Sequence, residues 1–553
     1  MPRTLSGVGV SPGTVVGPVA KAAPPPALPE QLPPPGDPAA ETAAIEAALR
    51  AVADDLQGRI AQAAGPAADI LLAQVEIVRD PALVEKAGEY LTAGRPAPHA
   101  VHAAFNEFRE LLAAVGGYLG ERAADLDDLR NRAVAHLLGL PMPGLPRPGH
   151  PYVLLAEDLA PADTATLDPA EVLAIVTEQG GPTSHTAILA KALGVPAVVA
   201  CAGVLDLADG ETVVVDGVSG AVEVAPEAAT VDAVRDAEAR RRSAAAAHTG
   251  PGRTADGHAV KLLVNVGAAR GLQAAADADS EGVGLFRTEF LFLDRAGEPD
   301  HAEQVAAYRA VFEAFAGRRV VVRTLDAGAD KPLGFVTVPG EANPALGVRG
   351  LRTARRHPGL LDRQLAALAE AARATGADVW VMAPMVSLPA EAADFAARVR
   401  EAGLPTAGAM LEVPAAALRA GALASACDFL SVGTNDLAQY VMAADRMNGE
   451  LADLLDPWQP AVLELLRQAA TAARAEDRPV GVCGESASDP AMALVLAGLG
   501  VTSLSMAPVC LPEVRAALRR HTLAECQDLA ARALAAPDAA TAHAEVQAAA
   551  RWE

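Results

Sequence analysis

Ile45, Leu49, Val52, Leu56 and Ile60 recur at spacings of three and four, which lays one apolar stripe along a helix. Asp37 followed by Pro38 supplies an N-cap and a first-turn residue at its start. Helical patterning continues to about Leu140, with breaks near Gly65, Asp80 and Gly94, and predicts a helical hairpin or bundle. The turn-rich "PMPGLPRPGHP" closes it. Ahead of it, residues 5–20 read as a strand, an "SPG" turn and a second strand. The connector "PPPALPEQLPPPGDP" follows, and its prolines exclude regular helix or central strand. Strand signals return at "YVLLAE", "VLAIVTE", "PAVVA" and the hairpin "TVVVDGVSGAVEV". The N-terminal strands have no sheet of their own and most simply join this one. The helical block is then an insertion in a discontinuous α/β domain, and residues 228–248 read as a linking helix.

From residue 255 strands and helices alternate. Strand candidates are "VKLLVNV" (260–266), "GVGLF" (282–286), "RVVVRTL" (319–325), "DVWVMAPM" (378–385), "TAGAMLE" (406–412), "DFLSVG" (428–433), "PVGVCG" (479–484) and "VTSLSMA" (501–507). Eight strands, each followed by a helical stretch, match a (β/α)8 barrel. A doubly wound open sheet is the alternative, but no glycine-rich dinucleotide fingerprint supports it. The predicted organisation is therefore N-terminal strands and connector over 1–36, a helical insertion over 37–140, an α/β domain over 141–227, a linker helix over 228–254 and a barrel over 255–553.

Composition supports a multidomain, helix-rich α/β chain: 553 residues, 51% hydrophobic but only 3% aromatic, with alanine filling the apolar faces. A formal charge of −24 argues against nucleic acid, because no basic surplus exists to neutralise phosphates. Cys201, Cys427, Cys483, Cys510 and Cys526 are odd in number and scattered, which points away from a disulfide framework and towards a reducing cytoplasm. The N-terminal residues lack the charged and apolar regions of a secretion signal, and no apolar run of about eighteen residues occurs, so no membrane insertion is expected.

The stretch "GGPTSHTAILAKALGVPAVVA" places His185 just after Thr183 and Ser184, both good N-cap types, in the first turn of a short helix ending at Gly194. Unpaired N–H groups and the helix dipole there favour a neutral imidazole and welcome an anion. That suits a nucleophile that must be unprotonated to attack and then carry a negative group. In the barrel, charged residues gather at the carboxyl ends of the strands, where barrel chemistry sits. Arg287 ends strand two. "VRTLDAGADK" carries Arg323, Asp326 and Lys331, Glu412 follows strand five, Asn435 and Asp436 follow strand six, and Cys483 with Glu485 follows strand seven. Arg349 and Arg446 lie on the following loops.

Several arginines together fork around a small polyanion bearing both phosphate and carboxylate. Glu412 and Asp436, from adjacent strands, can share one Mg2+ with substrate oxygens. Cys483 reads equally as a small buried hydrophobe or as a thiol acid facing a substrate carbon. A histidine fit to receive a phosphoryl group and a rim for a phosphorylated carboxylic acid belong to one reaction, with phosphoenolpyruvate as donor. The histidine and the rim fall in different predicted domains, so the linking helix must let one swing to the other.

The motifs "GGPTSHTAILAKALGVPAVV", "GVGLFRTEFLF", "VVRTLDAGADK", "NPALGVRG", "MLEVPAA", "SVGTNDLAQYVMAADR" and "GVCGE" run in the same order as in enzyme I of the bacterial sugar phosphotransferase system, which the chain resembles over nearly its whole length. The resemblance implies a phosphorylated His185, substrate-binding Arg287, Arg323, Arg349 and Arg446, and a backbone or amide contact at Asn435. It also implies Mg2+ at Glu412 and Asp436, a proton donor at Cys483, pyruvate as product and a homodimer formed through the barrel. The phosphocarrier protein HPr would dock on residues 37–140. Two departures stand out. Pro182 replaces a common arginine, and Ala329 replaces a glycine beside Lys331. A pyruvate phosphate dikinase or phosphoenolpyruvate synthase would share the histidine domain and the barrel. It would also need a nucleotide-binding domain, and the residues before the histidine domain show no phosphate-cradling loop. A non-catalytic relative would have lost His185, Cys483 or a metal carboxylate, and all are present.

Overall fold

The computed structural model describes the chain except residues 1–2, 12, 24–25, 30–31, 34, 61–65, 116–122, 141–142, 160–162, 164–166, 169–170, 182–185, 188–189, 191–193, 218, 248, 268–270, 293–294, 296, 328–332, 339–340, 446–450, 452–453 and 553, and the side chains of 60, 66–70, 72–73, 112–115, 123–125, 240–247 and 485. It divides into two units, Met1–Ala239 and Arg240–Glu553.

In the first unit, valine-rich runs bounded by glycine and proline become eight strands: β1 (Arg3–Ser6), β2 (Val8–Ser11), β3 (Thr14–Lys21), β4 (Tyr152–Ala156), β5 (Val172–Thr177), β6 (Ala197–Val199), β7 (Thr212–Asp216) and β8 (Ala221–Val224). They form one sheet in the order β1-β8-β7-β3-β4-β5-β6-β2, so the N-terminal strands do join the sheet that resumes after the helical block. The run expected as a single strand before the "SPG" turn is broken at Gly7 into β1 and β2, which sit on opposite edges of the sheet. The break has a steric cause. The Gly7 N–H donates to the carbonyl of Gly220, and a Cβ at Gly7 would lie 2.6 Å from the carbonyl oxygen of Val199. Strand alternation sorts the apolar side chains into two layers. Val15, Val19, Val153, Leu155, Val176, Val213 and Val222 pack on one face, and Leu154, Ile175, Ala187, Ala190 and Val199 on the other.

Between β3 and β4 run helices Pro38–Ile60, Pro66–Arg79, Pro81–Thr92, Ala97–Val115 and Ala123–Leu137. Asp80 caps the third of these through its carboxylate and the Ala82 N–H (2.9 Å), and Gly94 supplies a left-handed turn (φ 88) after it. The stripe begun by Ile45, Leu49, Val52 and Leu56 closes on Leu71, Leu83, Val101, Phe105 and Leu129. Inside the unit sits a cluster of charges. Arg132, fully buried, donates to Asp128 (2.9 Å), Asp55 (3.2 Å) and Asp163 (3.0 Å), and Arg59 reaches Asp55 (2.9 Å) and Asp163 (3.0 Å). Asp163 lies beyond β4, so two guanidiniums tie the helices to the sheet. Removing Arg132 takes the ion-pair partner from buried Asp128 and one guanidinium from each of Asp55 and Asp163, which costs about 3–5 kcal/mol. Arg132→Ala is expected to lower the calorimetric unfolding transition of the N-terminal unit while the barrel transition stays in place. An unchanged pair of transitions would show the cluster to be energetically idle.

Helix Ala228–Ala247 leads into the second unit. There β9 (Lys261–Val266), β10 (Gly282–Arg287), β11 (Arg319–Arg323), β12 (Val379–Ala383), β13 (Thr406–Leu411), β14 (Phe429–Val432), β15 (Val480–Val482) and β16 (Ser503–Met506) pair in parallel, and β16 closes back on β9. All eight expected strands are present, and the barrel, not the open sheet, is the architecture. Outward-facing residues such as Val264, Val283, Val322 and Val381 pack with the surrounding helices. Leu285, Val321, Met382, Met410, Phe429 and Cys483 form a separate inner layer.

Candidate active site at the barrel mouth

The barrel presents its charged side chains where its strands end. Arg287 and Arg323 are the last residues of β10 and β11 and face each other in register. Glu412 and Cys483 each follow the last residue of a strand, β13 and β15. Asp436 stands in the first turn of helix Thr434–Met442, directly after β14. Arg349 lies in the loop after β11, just before the turn of helix Gly350–Arg355.

These side chains meet. Arg349 donates to Asp436 (2.9 Å) and to Asp326 (3.1 Å). Arg323 pairs with Glu289 (2.5 Å) and with the same Asp326 (3.1 Å). Tyr440 lies 3.4 Å from Arg349 and donates to the carbonyl of Ala345. Behind the mouth, Gln364 donates to Thr288 (3.0 Å) and Tyr308 (3.1 Å), and Thr288 donates to the carbonyl of Arg323, so the strand end is held from below. The guanidinium of Arg287 makes no hydrogen bond or ion pair among the described residues. Asn435 is exposed beside Asp436. His185 and Arg446 lie outside the described residues, as do Pro182, Ala329 and Lys331. The described Thr186, next to the histidine, is helical and donates to Asp158 (3.0 Å) beyond β4, and Gly194 takes a left-handed φ of 66.

The mouth is less cationic than the arginines alone suggest. Among the described residues Glu289, Asp326 and Asp436 pair with Arg323 and Arg349, and Glu412 lies close enough to act on both guanidiniums. Neither Glu289 nor Asp326 was assigned a role from sequence. The available signal was a carboxylate two residues after Arg287 and another three after Arg323, close enough for each to meet a strand-end guanidinium. Glu412 is almost fully buried. Its Oε1 accepts the Met385 N–H (2.5 Å), while its Oε2 has no partner. Burial, together with the Asp436 and Asp326 charges, pushes Glu412 up to about 8 against the pull of Arg323 and Arg349. Gly433 leaves the space this oxygen uses, since a Cβ there would lie 2.9 Å from it. An orphaned buried carboxylate oxygen, near a second carboxylate and backed by glycine, fits a hard divalent cation. No cluster of three metal-binding side chains occurs among the described residues, so such an ion would draw its other ligands from substrate and water.

Cys483 is 3% exposed, and its thiol donates to the carbonyl of Val432 (3.5 Å) while the Ser431 hydroxyl donates to its sulfur (3.4 Å). Burial holds the thiol above its ordinary value, outweighing the Ser431 hydrogen bond and the Arg323 charge. It is therefore a proton-bearing acid at neutral pH rather than a thiolate nucleophile.

Family models described as PEP-utilising enzyme, N-terminal, mobile domain and PEP-binding domain match residues 6–122, 148–220 and 241–523. The chain is 53% identical to the phosphoenolpyruvate-protein phosphotransferase of Streptomyces coelicolor, with 99% of each chain covered. It belongs to the phosphoenolpyruvate-protein phosphotransferase family. The phosphotransferase of that name from Haloferax volcanii is 43% identical over 97% of each chain. A multiphosphoryl transfer protein of Xanthomonas campestris pv. campestris is 44% identical over 88% of this chain and 59% of its own length. Within this phosphotransferase family the PEP-binding model falls on the barrel, and its span takes in all the rim residues described above.

Proposed function

We propose that this member of the phosphoenolpyruvate-protein phosphotransferase family moves the phosphoryl group of phosphoenolpyruvate onto His185, releases pyruvate, and passes the group to a histidine of HPr. The observation that carries this reading is the meeting of Arg323, Arg349, Glu412, Asp436 and Cys483 at one barrel mouth. Arg287, Arg323, Arg349 and Arg446 would bind the phosphate and carboxylate oxygens, exchanging carboxylate partners for substrate, with Asn435 supplying a further polar contact. Glu412 and Asp436 would hold one Mg2+, which neutralises charge on the phosphoryl oxygens. An imidazole nitrogen of His185 attacks phosphorus, and the P–N bond forms as the P–O bond to the enolate breaks. The enolate carbon then takes the Cys483 proton, giving pyruvate and a thiolate.

HPr would dock on the helices between β3 and β4, where Leu111 is more than half exposed. A second copy of the chain would pair through the barrel. Leu346 and Leu388 are both more than half exposed, on loops joined by Arg352, which donates to the Leu346 carbonyl (3.2 Å) and the Ser387 hydroxyl (3.1 Å). A cytoplasmic setting fits five cysteines that form no disulfide. No helix among the described residues is long and apolar enough to cross a membrane. The deciding experiment incubates the full chain with labelled phosphoenolpyruvate and Mg2+, adding HPr, AMP or neither. Acid-labile label on the chain, chased onto HPr, is the expected result. Label that ignores HPr and moves to a nucleotide would overturn the reading in favour of dikinase chemistry.

A further inference from the structure

Each turnover of the proposed reaction leaves Cys483 without its proton, and the barrel must return one. The groups facing the sulfur from the rim are poor sources. Against the pull of burial, the Glu289 and Asp326 charges hold Arg323 above its ordinary value, so it keeps its proton, and Glu412 holding a cation is acceptor-only. Beneath the sulfur, Ser431, Ser503 and Ser505 face a cavity of about 20 Å3, whose other walls are Gly284, Gly481, Cys483 and bulky side chains including Val321, Trp380 and Phe429. That volume admits one water. Ser431 and Ser505 are buried, whereas Ser503 and Arg319, the first residues of their strands, and Gly481, the second of β15, are partly exposed. The cavity therefore runs from the thiol towards the N-terminal mouth of the barrel, away from the substrate. Glycines keep it open, since a Cβ at Gly284 would lie 2.5 Å from the Ser505 hydroxyl and one at Gly481 2.6 Å from that of Ser503.

We infer that Ser431 and the hydroxyl-lined cavity below it return the proton to Cys483 from solvent at the N-terminal mouth of the barrel. This rests on Cys483 being the acid in the reaction proposed above. The thiolate takes the Ser431 hydroxyl proton, already directed at the sulfur. The serine oxygen takes one from a water in the cavity, and that water is replenished from bulk. Each bond broken is remade from the next donor, so one solvent proton enters and no group is left altered. Ser431 acts through Cys483 and is a positioning residue for proton return.

The test is rapid quench of the full chain with phosphoenolpyruvate, Mg2+ and excess HPr, comparing first-turnover pyruvate with the steady rate. In Ser431→Ala the first turnover should stay within about twofold of wild type, because Cys483 starts protonated, while the steady rate falls about tenfold or more. Ser431→Thr, which keeps the hydroxyl, should restore the steady rate. Should Ser431→Ala fail to fold, Gly481→Ala, which narrows the cavity without touching the thiol, decides by the same ratio. A ratio of steady to first-turnover rate equal to wild type overturns the relay. A first turnover left intact in Cys483→Ala overturns instead the assignment of Cys483 as the acid, so the two failures are told apart.

Discussion

His185→Ala is expected to leave the chain with no acid-labile label after incubation with labelled phosphoenolpyruvate and Mg2+. The loss should be complete because an alanine offers phosphorus no nucleophile, and phosphoryl transfer depends on an acceptor held in line with the leaving oxygen. The barrel mouth belongs to a different unit of the chain and keeps its residues in this variant. The variant should therefore still bind phosphoenolpyruvate, measured by equilibrium dialysis, while forming no pyruvate. Label persisting on another residue would remove the histidine from the reaction and with it the reason for pairing "TSH" with the barrel.

The next largest effect is expected from Glu412→Gln, which should slow label transfer by roughly two to three orders of magnitude. The substitution keeps the shape and the acceptor for the Met385 N–H but replaces the unpartnered oxygen with an amide nitrogen that cannot ligate a cation. The argument is one of balance. Among the described residues Arg323 and Arg349 are already paired with Glu289, Asp326 and Asp436, so a substrate bringing further negative charge gains from added positive charge. Glu412, with an unpartnered oxygen, is the group that would bring that charge in. Asp436→Asn should act in the same direction, with an added loss of order at Arg349, its ion-pair partner. A Glu412→Gln rate within about twofold of wild type across a Mg2+ titration would show that the carboxylate holds no ion needed for transfer.

The barrel was legible because its strands are short apolar runs with turn residues on both sides, and because the chemistry-bearing residues recur at one end of each run. The rim arginines could be found from position alone. Their partners were harder to see. The pairing of Asp326 with both Arg323 and Arg349 depends on how the loop after β11 folds back across the mouth, which no local pattern encodes. Arg132 was invisible for a related reason. "LDDLRNRAVAHL" looks like a solvated helix face, and although Asp128 is within it, the other two carboxylates that allow the guanidinium to be buried lie far away in sequence, at Asp55 and Asp163. The division of the first strand at Gly7 likewise needed knowledge of Gly220 and Val199, distant chain segments that crowd one backbone position.

Because β1 pairs with β8 and β2 with β6, β2 has no partner until Val199 has been synthesised and β1 none until Val224. At a ribosomal pace of about 5–20 residues per second, that interval is on the order of ten to forty seconds. During it Val10, buried in the finished sheet, stays unprotected while the helices between can already assemble. This half of the molecule is thus completed from its middle outwards, its two outermost strands being the last to find partners.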